Sequence, residues 1–114
     1  MKKGSTSLGM EENIEALLTY VLGWLTGIVF LVFEKENNFV RFHAMQSTVT
    51  FIGLGVLSFI ALIIPFFNVI LFPLVEIITA IVWIICMVKA YQGEKYKLPF
   101  VGDLSESLLQ KIKS

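Results

Sequence analysis

The sequence is poor in the residues that most protein chemistry uses. It holds one cysteine, one histidine and three prolines in 114 residues, and 16% of its residues are charged. A lone Cys86 cannot form an intrachain disulfide, and its place inside an apolar run makes it a small hydrophobe. His43 has no second His, Cys or carboxylate at ligand spacing, which excludes a metal site. A formal net charge of zero, with no interleaving of basic and aromatic residues, excludes a nucleic-acid surface. There is no phosphate-binding loop, nucleophile elbow or paired-carboxylate arrangement, so no cofactor is expected. Nor is a cleaved leader expected. "MKKG" is followed by Ser, Thr, Gly and Glu residues, and the first apolar run ends in "FEKEN" without a small-residue cleavage pattern.

What the chain has in excess is hydrophobic residues, at 56%, with a mean hydropathy of +0.79. Soluble domains are nearer ~45–50% apolar and about 25% charged, so the expected solvent is a lipid bilayer. Three runs carry the apolar excess: Ala16–Phe33, Ala44–Ile64, and Phe66–Val88, the last broken by Glu76 alone. Backbone amides in lipid must be paired within their own segment, which makes these runs helices. The expected fold is an all-α membrane protein, a bundle of three transmembrane helices with a short C-terminal amphipathic helix at the interface. Its parts are a polar lead at 1–13, a first span at 14–33, a polar cytoplasmic turn at 34–39, a second span at 40–64, a third at 67–91 and a tail at 92–114.

The ends of these elements carry their own signals. Glu11, Glu12 and Glu15 suit the positive end of the first helix dipole. Asn38 reads as the N-cap of the second helix, leaving "EKENN" as the turn. Two starts are open for the third helix. One near Phe67 places Pro73 in the second turn; one just before Pro73 gives the proline its favoured first-turn position, and this later start is preferred. In the tail, Pro99 and Gly102 interrupt any helix, and Asp103 with Glu106 fits a capping box. Leu104, Leu108 and Ile112 then form an apolar stripe on a helix at 104–113, expected to lie on the membrane surface, with a partner-docking helix as the alternative.

Counting Lys and Arg near the span ends gives an orientation. Three spans put Lys2 and Lys3 on one side with the "PFFN" turn. Lys35, Arg41, Lys89, Lys95, Lys97, Lys111 and Lys113 fall on the other. The richer side is expected to be cytoplasmic, with the N-terminus outside and the C-terminus inside a multi-pass cell-membrane protein.

Several residues are candidates for function. Thr19, Gly23 and Gly27 recur every four residues, and a GxxxG ridge allows close helix approach, within the chain or in a homo-oligomer. His43, Gln46, Ser47 and Thr50 share an arc of the second helix and should turn toward protein. Glu76 is costly in lipid, by about 2.5–3.5 kcal/mol at mid-membrane. An interfacial or hydrogen-bonded glutamate is its plain reading, and a proton or cation pathway the sharper one. Glu34, Arg41, His43 and Gln46 crowd the cytoplasmic turn.

Two blocks, "GWLTGIVFLVFEKENNFVRFHAMQS" and "AYQGEKYKLPFVGDL", resemble a family of small, uncharacterised prokaryotic membrane proteins. That family is regarded as distantly related to the twenty-kilodalton subunit of the chloroplast inner-envelope import translocon, which has four spans. The resemblance implies that Glu34, Arg41, Phe42, His43, Gln46, Gly93, Leu98, Pro99 and Gly102 are motif residues, and the two blocks lie on one membrane side. The functional expectation is a non-enzymatic integral membrane protein acting through membrane-complex assembly or translocation-like scaffolding. Its partners are lipid and either further copies or a larger complex. The alternative is a small transporter or channel component using the polar faces around Gln46, Thr50 and Glu76. A membrane enzyme using Arg41 and His43 ranks last.

Overall fold

A computed structural model describes residues 6–113. Lys2 and Lys3, which entered the charge count, lie outside the described residues. Among those described there are five helices and no strand: α1 (Glu12–Val21), α2 (Trp24–Phe33), α3 (Asn38–Ile63), α4 (Asn68–Tyr91) and α5 (Val101–Lys113). Two of them, α3 at 26 residues and α4 at 24, are long and apolar enough to cross a membrane. Only 28% of the most apolar stretch of α3 and 11% of that of α4 is buried inside the molecule. A core helix of a soluble protein would be mostly enclosed.

The expected span at 14–33 does not form. The chain breaks at Leu22–Gly23, where Gly23 takes φ +63°, a region that a side chain disfavours. Thr26 stabilises the break: its hydroxyl accepts from Leu22 N (3.1 Å) and donates to Thr19 O (3.1 Å). The result is an antiparallel pair of ten-residue helices, each about 15 Å long. Its two ends meet. Ser7 N donates to the Glu34 carboxylate at 2.8 Å, and Asn37 Nδ2 donates to Glu12 Oε1 at 2.8 Å. The lead from Thr6 onward therefore shares one end of the molecule with the turn after α2, whereas a single crossing would separate them.

The N-cap of α3 is Asn37, one residue before the expected Asn38; its Oδ1 accepts from Val40 N at 3.0 Å. At the far end, Phe66 (φ +68°) turns the chain, and Leu71 N bonds Phe67 O at 2.8 Å. That turn starts α4 at Asn68, not just before Pro73, and leaves Pro73 inside the helix. After α4 the chain stops in a Schellman motif. Gly93 N bonds Ala90 O (3.1 Å), Glu94 N bonds Lys89 O (3.0 Å), and Gly93 takes φ +80°.

From there the tail runs back along α3, and α5 packs on α3. The expected capping box is absent because α5 begins at Val101, which places Asp103 inside its first turn. The expected stripe is also rotated. Ser105 and Leu109 are buried, Leu109 beside Phe42 and Met45, while Leu104 and Ile112 are exposed. Gly102 lets the start of α5 fold closely against the tail, since a Cβ there would come within 2.8 Å of Lys97 Cα.

The molecule thus has a thick half and a thin half. α1, α2, the tail and α5 surround the first part of α3 and the last part of α4. Beyond Phe51 and before Val82 the side chains of α3 and α4 are mostly exposed, with Trp24 and the Leu98–Val101 stretch reaching only the near part of α3.

Candidate functional site

The thick half is built around a buried polar network that ties α1, α3 and the 92–98 segment together. Tyr20, His43 and Gln46 are each fully buried. His43 Nε2 lies 2.9 Å from Glu94 O, and a carbonyl only accepts, so Nε2 carries the proton. His43 Nδ1, 2.7 Å from Tyr20 Oη, then accepts from the phenol. Gln46 Nε2 donates to Tyr20 Oη at 3.0 Å and to Tyr96 O at 2.9 Å, while its Oε1 accepts from Leu98 N at 3.0 Å. Each polar group in this chain of bonds has a partner, which assigns one neutral tautomer to His43. The arc His43, Gln46, Ser47 and Thr50 faces inward as expected, with Ser47 Oγ donating to Gly23 O at 2.9 Å. That bond secures the tip of the α1–α2 hairpin. Trp83 Nε1 secures α4 against α1 by donating to Tyr20 O at 2.6 Å.

A second cluster sits at the open end of the hairpin. Glu34 is fully buried, and its carboxylate accepts from the backbone N–H groups of Ser7, Glu36 and Asn37. Burial pushes the Glu34 carboxyl up, but the facing Glu15 side chain and those three N–H groups outweigh it and hold the group well below the usual range. Arg41 does not pair with a carboxylate. Its Nη1 donates to the carbonyl oxygens of Leu31 (2.9 Å) and Glu34 (2.5 Å), closing the C-terminal turn of α2 as a cation suits.

The remaining sequence candidates divide. Gly27 is a true close approach: a Cβ there would lie 2.9 Å from Ala44 O and 3.0 Å from Thr48 N. Gly23 is the break itself, so Thr19, Gly23 and Gly27 do not form one continuous ridge; Thr19 Oγ1 bonds Ala16 O at 2.6 Å. Gly93, Leu98 and Gly102 set the path of the tail, while Pro99 is exposed in it. Thr50 is buried, and its hydroxyl has no partner among the described residues. Glu76 is exposed on α4, far from His43 and with no ion pair among the described residues. Tyr20 and Glu15 escaped sequence reasoning: Tyr20 sits inside an unbroken apolar run, and Glu15 looked like a dipole-facing surface residue. The signal for Tyr20 was its four-residue spacing from Ala16, the smallest side chain that packs on the same face.

On the surface of this half, Lys97 bonds Asp103 (3.3 Å) and Glu106 (2.7 Å), and Lys95 also pairs with Glu106. The two lysines pull the Glu106 carboxyl down to about 2.

Two apolar helices of membrane length, a buried polar network at one end and a returning helical hairpin define a small α-helical membrane protein. The chain belongs to the magnetosome magnetite crystal formation protein family, whose model matches residues 9–105. It is 52% identical over 107 residues to a UPF0132 membrane protein of Methanocaldococcus jannaschii, covering 94% of this chain and 96% of the relative. A UPF0132 membrane protein of Archaeoglobus fulgidus is 50% identical over 97 residues, 85% of this chain and 94% of the relative. A further UPF0132 membrane protein of M. jannaschii is 44% identical over 100 residues, 88% of this chain and 71% of the relative. No solved structure matches the chain.

Proposed function

We propose that this protein is a two-span membrane scaffold with a half-crossing helical hairpin, and that it works by assembling with other membrane proteins or with copies of itself. In this reading α3 and α4 cross the bilayer, and α1 and α2 enter and leave on the same side. The three-span bundle is thereby replaced, and the N-terminal lead joins the tail in the cytoplasm. The charge distribution supports that side: Lys35, Arg41, Lys89, Lys95, Lys97 and Lys111 all belong to the thick end, and the turn at Ile64–Asn68 has no Lys or Arg. Phe100, 91% exposed, and Leu104 suit the headgroup boundary beside these lysines.

The observation that carries the assembly reading is the thin half. Phe59, Ile70, Ile77 and Ile81 are exposed there, around a carboxylate that lipid alone solvates poorly. The non-enzymatic reading is supported by how the polar groups are spent: both ring nitrogens of His43 and the Arg41 guanidinium are bonded within the fold. The family description speaks of magnetite crystal formation. Among the described residues no three His, Cys, Asp or Glu side chains converge as a metal-holding group, so the reading for this chain rests on assembly. The translocon kinship draws no support from the relatives, and the scaffold reading does not need it.

Disulfide crosslinking in native membranes tests this, using Ile77→Cys or Ile81→Cys in a Cys86→Ala background. Reproducible dimers or a specific larger adduct are expected; monomer alone would count decisively against assembly. The exposed, unpaired Glu76 favours a second reading, a transporter or channel component. Proton or cation flux into proteoliposomes that Glu76→Gln abolishes is its expected signature. Flux equal to that of empty liposomes removes it.

A further inference from the structure

Two carboxyl groups meet at the open end of the α1–α2 hairpin, and the bonds described so far use one of them. Glu34 is saturated by backbone donors. Glu15 is just as deeply buried and faces the Glu34 carboxyl, yet neither of its oxygens accepts a hydrogen bond from any described donor. Two ionised carboxylates in contact and out of water repel strongly. A single proton converts that repulsion into a charge-assisted O–H···O⁻ bond.

Among the described residues the neighbours do not supply a cation in its place. Arg41, the basic group that α3 brings to this corner, is committed to the carbonyl oxygens of Leu31 and Glu34. Glu12, one turn before Glu15 on α1, accepts from the Asn37 side chain. In the turn, Lys35 and Glu36 are exposed and contribute backbone N–H groups to Ser7 Oγ. In the lead, Thr6 exchanges hydrogen bonds with the Met10 backbone, and its hydroxyl beside Glu15 favours the ionised form by less than burial and Glu34 oppose it. On α4 the Tyr91 carbonyl is taken by Asn13.

We propose that Glu15 and Glu34 form a proton-binding site in which one proton, carried by Glu15 and donated to Glu34, latches the two ends of the hairpin together. The site is loaded at neutral pH, because burial and the facing Glu34 carboxylate push the Glu15 carboxyl up to about 8. The sign follows from linkage. The folded hairpin holds a proton that the opened chain releases near 4.5, so the latch weakens as pH rises from 4.5 to about 8 and changes no further above that. One linked proton changes the opening equilibrium by at most about tenfold per pH unit.

Infrared spectroscopy of the full chain in detergent micelles, titrated from acid to alkaline pH, reads the site directly. A protonated-carboxyl C=O band should persist at neutral pH and fade with a midpoint near 8. It should be missing in Glu15→Gln and retained in Glu76→Gln. In parallel, the melting temperature of the wild type should fall between acidic and mildly alkaline pH. That of Glu15→Gln should change less, since the amide donates to Glu34 at every pH. A wild type without an acid band at neutral pH overturns the proposal, and so does a band that Glu15→Gln leaves intact. The wild-type spectrum decides the matter even if the variant does not fold.

Discussion

The two halves of α3 differ in composition, seven apolar residues in fourteen against nine in twelve, and they live in different surroundings. The first, Asn38–Phe51, is enclosed: Arg41, His43, Gln46 and Ser47 are all buried and bonded to backbone groups of other elements. The second, Ile52–Ile63, touches α4 on one side and otherwise presents Val56, Phe59 and Ile60 outward. In lipid, apolar side chains gain little by packing on each other, so directional bonds and close backbone approach do most of the holding. The enclosed half has both. The open half has little of either, which leaves its outer surface available for neighbours.

The sharpest way to break this comparison is to ask on which side its parts lie. Single cysteines at Ser7, Glu36 and Phe66 in a Cys86→Ala background should label in an all-or-none pattern, with positions 7 and 36 from the cytoplasm and 66 from outside. Opposite accessibility of positions 7 and 36 would restore a full first crossing. Next in size is Gly27→Leu, which drives a side chain into the Ala44 carbonyl and the Thr48 amide and should cost about 3 kcal/mol or prevent the hairpin from seating. Gly55→Leu, where nothing lies within 4 Å of an added Cβ, should leave unfolding in detergent nearly unchanged.

A third contrast separates two polar residues of the same helix. Gln46→Leu strands Leu98 N–H and Tyr96 C=O and should lower stability by about 2 kcal/mol. Thr50→Val removes a buried hydroxyl that has no partner among the described residues and should be neutral or slightly stabilising. The smallest effect belongs to the surface. Glu106→Gln should reduce stability marginally, and less so in high salt. Because its lysine partners lower the Glu106 carboxyl from 4.5 to about 2, the cluster's contribution is complete above 4.5 and disappears as pH falls through about 2. The variant should show a shallower acid limb in a melting-temperature profile, the remainder belonging to Glu34.

Much of the enclosed half was legible. Buried polar arcs announce themselves by periodicity, and His43, Gln46, Ser47 and Thr50 did so. The motif blocks imply one membrane side without any pairing between them, and the bond from Leu98 N to Gln46 Oε1 is a tertiary contact that no local signal announces. The first helix was misread because hydropathy measures length and not direction: Ala16–Phe33 is long enough to cross, and nothing in its composition reveals that Gly23 reverses it. The break needs Thr26 to cap it and Ser47 to hold its tip, and those contacts are tertiary. The rotation of α5 escaped for a related reason. Leucine spacing alone selected Leu104, Leu108 and Ile112, whereas the side that packs inward carries Ser105 and Leu109, the latter against Phe42 and Met45 of α3.

The α1–α2 pair leaves the ribosome before the helix that holds it. Gly27 rests on Ala44 and Thr48, and the Gly23 carbonyl waits for Ser47; none of these exists until α3 has been synthesised. During that interval the nascent chain offers an insertion machine the same signal as a complete crossing. The packing of the pair is therefore completed only after α3 emerges, although its two helices are made first.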